Sequence, residues 1–117
     1  SKTAEMVKYF TNTFLATKVS FANEMYSVCE QIGIDYDKVV EYATYDERLG
    51  KSHWAVPGPD GDFGFGGHCL PKDLSAIIST FKTFGLLEAV EQVNDQVRND
   101  RDWEHMVGRA VLEDDND

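Results

Sequence analysis

The chain has 117 residues, with 42% apolar residues and a net charge of −10 from 21 acidic against 11 basic side chains. That is enough chain for one domain with a buried core, no apolar run approaches the ~20 residues a membrane span needs, and the acidic balance opposes binding to nucleic acid or anionic membranes. Two cysteines make no disulfide framework, no leader peptide is recognisable, and the chain reads as cytoplasmic.

The first predicted element is a long helix, capped at Thr3, running to about Gln31 and stopped by Gly33. Val7, Phe10, Phe14, Phe21, Met25, Val28 and Ile32 form one apolar stripe, which predicts burial against other helices. Cys29 sits in that apolar pattern and is expected to be a buried, reduced thiol. Lys8 and Asn12, four residues apart, share a face offset from the stripe and could offer a charged and a neutral donor to one oxygen. By spacing alone they read equally well as a solvated lysine and an incidental asparagine. Lys18, Asn23 and Glu24 read as surface or inter-helix contacts.

Asp35 is expected to cap a second helix that reaches Leu49, with Val39, Val40 and Ala43 inside and Gly50 after its end. Arg48, near that end, could pair with Asp46 or with an anionic ligand. Residues 51–68 hold two of the three prolines and five of the nine glycines, a long loop of the kind that carries function. A third helix is expected from about Pro71 to Phe84, ending at Gly85. A fourth begins near Leu87, carries Ala89, Val90, Val93, Val97 and Met106 towards Val111, and breaks around Arg98–Asp102. The five residues Glu113–Asp117 read as a solvated acidic tail. No strand, repeat or low-complexity segment is apparent, so the expected fold is an all-α domain over residues 1–112.

The stretch Phe63–Asp73, FGFGGHCLPKD, holds the chemistry. Pro71 suits the first turn of a helix, which places Cys69 at the helix mouth, where unpaired N–H groups and the dipole favour a thiolate. The glycines allow close approach to the backbone, and Asp73 falls one turn after Cys69 on the same face. A Cys–His hydrolase built on Cys69 with His53, His68 or His105 is the weaker alternative. His68 adjoins Cys69 and faces elsewhere, and no orienting partner is evident. A metal site from His68, Cys69 and Asp73 lacks a recognised ligand spacing, so no metal is expected. Trp54 and Trp103 read as packing or interface residues.

Three segments, Ala4–Glu24, Tyr45–Gly50 (YDERLG) and Gly64–Asp73 (GFGGHCLPKD), resemble the central domain of the UDP-glucose/GDP-mannose dehydrogenase family. The PKD ending is similar to the family's UDP-glucose branch. The resemblance implies a helical domain like the C-terminal domain of 6-phosphogluconate dehydrogenase, forming a homodimer through its first helix. It implies two-step oxidation of a nucleotide sugar's C6 alcohol to a carboxylate, with NAD taking each hydride. Cys69 would be the nucleophile, passing through a thiohemiacetal and a thioester. Lys8 and Asn12 would stabilise oxyanions at C6, and Asp73 would position water. Gly66 would shape the sugar site, Arg48 would reach sugar bound by the other subunit, and Lys72 would contact the cofactor. The chain departs from the family in a longer His53–Phe63 loop. It also lacks a strand–GxGxxG–helix unit, so the NAD-binding domain is expected elsewhere and the chain alone is expected to be inactive. The alternative is a helical dimerisation module with no activity of its own.

Overall fold

A computed structural model describes residues 1–100. It is all-α, with four helices and no strand among the described residues: α1 (Lys2–Ile32), α2 (Tyr36–Ala43), α3 (Cys69–Thr80) and α4 (Leu86–Val97). His105, Trp103, Met106, Val111 and the expected acidic tail lie outside the described residues.

Helix α1 starts two residues earlier than expected. Ser1, not Thr3, is the cap, its Oγ accepting from the Ala4 N–H at 3.3 Å. Gly33 ends the helix in the left-handed conformation (φ 73°), as the glycine predicted. Asp35 caps α2 by accepting from the Asp37 N–H at 3.0 Å, also as expected. That helix stops at Ala43, well short of Leu49. Asp46 diverts the chain, because its carboxylate takes the Arg48 N–H at 3.0 Å and closes a side-chain turn in place of another helical turn. Val39 and Ala43 are exposed and Val40 is half-buried; the residue that α2 buries is Tyr36.

Helix α3 ends at Thr80 rather than Phe84. Phe81 is extended and Phe84 stands 98% exposed. The chain leaves the helix there because Thr83 serves the next one, its hydroxyl donating to the Glu88 carboxylate in the first turn of α4. Helix α4 breaks where the charges predicted, with Arg98 already extended (φ −77°, ψ 129°).

The core forms two clusters along α1. Ala16 packs with Phe65, Leu74 and Val90, bringing α3 and α4 onto the helix. Ala22 and Cys29 pack with Tyr36 and Val56, flanked by Tyr26, Trp54 and Phe63. Cys29 is buried and free, as expected. Burial pushes the Tyr36 phenol up to about 12, with the nearby Asp37 and Cys29 charges adding to it, while its hydroxyl donates to the Trp54 carbonyl at 2.6 Å. Small residues sit where α1 meets its neighbours. Ala16 and Ala22 are at 0% and 1% exposure, and Ser20 Oγ donates to the Val90 carbonyl at 3.1 Å.

The expected burial of the apolar stripe therefore does not occur among the described residues. Phe10, Phe14 and Ile32 are 73%, 56% and 63% exposed, and Val7, Phe21, Met25 and Val28 are exposed with them. Small side chains win the inner face because they let helix backbones approach closely, which leaves the bulky stripe outside.

Candidate active site

Asp73, in the second turn of α3, has no exposed surface. Its Oδ2 accepts from Asn12 Nδ2 at 2.6 Å, across 61 residues of sequence. Its Oδ1 lies 3.6 Å from Lys72 Nζ and 4.0 Å from Lys8 Nζ. Two ammonium groups thus flank one carboxylate. Oδ1 is buried yet accepts no hydrogen bond among the described residues. A buried carboxylate oxygen in that condition is suited to a donor from water or a ligand.

Cys69 stands one turn before Asp73, exposed, in the first turn of α3. His68 occupies the cap position and gives the helix no side-chain cap hydrogen bond. The amide dipoles of the first turn accordingly favour negative charge near the sulfur. Lys8 is half exposed, so its ammonium is available on the same side as Asn12 and Asp73. Lys8, Asn12, Asp73 and Lys72 are brought together as one cluster, and Cys69 is joined to it by a single helical turn.

Gly66 is placed in the wall of a cavity of about 540 Å³, together with Gly64, Gly67, Leu70, His53 and Arg98. Gly67 and Leu70 of this wall bracket Cys69 in sequence, while Cys69 itself and the Asp73 cluster lie outside the lining. His53 holds a positive φ of 68°, a conformation uncommon for a non-glycine residue. Arg48 is not brought to this cluster. Its side chain is 88% exposed and forks onto Asp46, Nη2 to Oδ2 at 2.7 Å and Nε to Oδ1 at 3.0 Å. The Arg48 side-chain hydrogen bond holds the Asp46 carboxyl below its usual range.

Other residues hold this geometry in place. Lys18, read from sequence as an ordinary contact, is buried; its Nζ donates to the Leu49 carbonyl at 3.1 Å and lies 4.6 Å over the Trp54 ring. Asn23 Oδ1 accepts from the Gly64 N–H at 3.1 Å, and Asn94 accepts from the Phe65 N–H at 2.7 Å while donating to the Phe65 carbonyl at 2.9 Å. Asn94 escaped the sequence reading although a signal was there. It follows Val90 by one turn, at a core register of α4 where a polar residue must have partners.

Residues 2–96 match the profile of the UDP-glucose/GDP-mannose dehydrogenase family, central domain. The chain belongs to this family. It is 40% identical over 101 residues to the UDP-glucose 6-dehydrogenase TuaD of Bacillus subtilis (strain 168), covering 83% of this chain and 21% of that protein. Against UDP-glucose 6-dehydrogenase of Rickettsia bellii (strain RML369-C) the identity is 43% over 96 residues, covering 79% and 21%. The UDP-glucose 6-dehydrogenase AglM of Haloferax volcanii is 40% identical over 96 residues, with the same coverage. The chain therefore spans about a fifth of the length of the curated relatives it matches. No solved structure matches it.

Membership in the family frames what the site lacks. No strand, and so no dinucleotide-binding unit, exists among the described residues. No cluster of three or more His, Cys, Asp or Glu among the described residues could hold a metal ion. None of the described helices is long and apolar enough to cross a membrane.

Proposed function

We propose that this chain is the central domain of an NAD-dependent, cytoplasmic UDP-glucose 6-dehydrogenase, supplying the covalent and electrostatic part of the oxidation of a nucleotide sugar's C6 alcohol to a carboxylate. The observation that carries this reading is the convergence of Lys8, Asn12 and Lys72 on a buried Asp73 one turn from an exposed Cys69. Two NAD molecules in turn, bound chiefly by residues outside this chain with Lys72 at the edge of that site, would each supply the acceptor for one hydride. The Cys69 thiolate adds to the C6 aldehyde, giving a thiohemiacetal. Loss of the second hydride leaves a thioester, which water cleaves to carboxylate and free thiol. Lys8 and Asn12 stabilise negative charge on the C6 oxygen as it develops. The Oδ1 of Asp73, flanked by two ammonium groups but accepting no hydrogen bond among the described residues, orients the attacking water. Gly66 lets the sugar lie against the backbone of the cavity wall.

The exposed stripe of α1 favours a homodimer within the same reading. Seven large apolar side chains along one helix form a patch of the kind that a second copy covers. A dimer also gives Arg48 a task, since a solvent-directed guanidinium suits nucleotide sugar held by the partner subunit. A dimerisation domain without chemistry would need the stripe but would have no use for the Asp73 cluster.

The test uses the UDP-sugar 6-aldehyde, which needs no cofactor to react with the thiol. Incubation of the chain with this aldehyde is expected to slow iodoacetamide labelling of Cys69 at least about tenfold, with Lys8→Met restoring it. Equal labelling with and without the aldehyde would remove the nucleophile from the proposal.

A further inference from the structure

Residues 60–65 form the stretch of loop that leads into the Gly66–Gly67 wall, and α4 grips it at two points. Asn94 holds Phe65 through both its backbone N–H and its carbonyl. One turn on, Arg98 pairs with Asp60 at 2.6 Å and lies 3.5 Å from Asp62, and it donates to the Phe63 carbonyl at 3.4 Å. Both gripping residues are buried, with the Arg98 side chain only 2% exposed. Asp62 reaches back to the end of α4, accepting from the N–H groups of Asn99 at 3.2 Å and Asp100 at 2.7 Å. Arg98 also lines the 540 Å³ cavity beside Gly64 and Gly66.

Bonds of this number and burial exceed what is needed to end a helix. Asn94 carries an amide whose two halves match the two halves of one peptide group, so it fixes the position and the tilt of Phe65. Arg98 is a buried cation, and two of its carboxylate partners, Asp60 and Asp62, come from the loop, so the loop cannot move without breaking both pairs. Phe65 in turn packs with Leu74 of α3, the helix that begins at Cys69.

We propose that Asn94 and Arg98 are positioning residues of the active site: they lock the 60–65 segment as a rigid wall of the sugar cavity and, through Phe65 packed on Leu74, set where α3 holds Cys69. The identity of the cavity's occupant rests on the nucleotide-sugar reading above; the clamp on Cys69 does not.

The experiment measures iodoacetamide labelling of Cys69 and amide exchange at Phe65, each with and without UDP-glucose. It compares wild type with Asn94→Ala, Asn94→Asp and Arg98→Lys, below every variant's melting transition. Asn94→Ala is expected to speed exchange at Phe65 about tenfold and to change Cys69 labelling about threefold in the absence of ligand. Asn94→Asp keeps an acceptor for the Phe65 N–H and is expected to fall between Asn94→Ala and wild type. Arg98→Lys keeps the charge but not the fork, and supplies the comparison if Asn94→Ala does not fold. Labelling of Cys69 that stays at the wild-type rate in every folded variant, whatever their melting temperatures, overturns the clamp. Altered labelling in the variants, with no protection by UDP-glucose in wild type, upholds the clamp and removes the nucleotide-sugar reading instead.

Discussion

At Gly64 the backbone has a φ of 69°, and a Cβ added there would lie 2.2 Å from Asn94 Oδ1 and 3.1 Å from Val97 Cγ2. Both objections apply at once, since the conformation is strained for any other residue and the space is filled by the amide that holds Phe65. Gly64→Ala is expected to lower stability by about 3 kcal/mol, read as a shift of the urea midpoint with unchanged slope. The sequence marked this glycine as part of a permissive run without saying which of its members was indispensable. Cys69 and Asp73 were legible because a proline fixed the helix start and a four-residue spacing fixed their shared face. The contact of Asn12 with Asp73 spans 61 residues, so no local pattern encodes it, and the resemblance to a family gave each residue a role without pairing them. Asn94 and Arg98 stayed hidden because a polar residue in a helix is ordinarily solvated, and its burial depends on a loop that propensity cannot place.

Among the elements, the caps at Asp35 and Gly33 followed from residue chemistry alone, whereas the lengths of α2 and α3 did not. In both helices a side chain near the expected end was taken by a neighbour: Asp46 by the Arg48 backbone, Thr83 by Glu88. The loop between α2 and α3 has its own electrostatic signature. The Arg98 hydrogen bond holds Asp60 below its usual value of 3.8. Burial alone would raise Asp62, but donation from the Asp100, Phe63 and Asn99 backbones and the charge of Arg98 outweigh it and bring it lower too. A carboxyl whose folded value lies below its unfolded one adds stability above the unfolded value and loses it as pH falls through the folded one. The loop is therefore expected to be fully latched at neutral pH and to loosen below about pH 4. The thermal midpoint should fall more steeply between pH 5 and pH 3 in wild type than in Asp60→Asn/Asp62→Asn, by differential scanning fluorimetry. Parallel curves would mean that these two carboxylates do not contribute.

For the molecule as a whole, the all-α class was legible, and so was a stripe along α1 that needs a partner. What the stripe could not reveal was whether its partner lies in the same chain, because periodicity reports that a face is apolar and not what covers it. Phe14→Glu, at the middle of the exposed face, is expected to halve the mass measured by light scattering, from twice 13.2 kDa to the single-chain value, with the helical circular dichroism retained. An unchanged mass would leave the stripe to some other cover. Helix α1 also has a mechanical meaning. Its 31 residues make a rod about 46 Å long, close to the 48 Å longest dimension of the molecule. Lys8 and Asn12 project from its first half, and the apolar seam runs on to Ile32. Two such rods laid against each other would act as a common strut to which both sites are bolted. Their separation would then be set by helix geometry alone, and any tilt of one rod would be felt at both cysteines together.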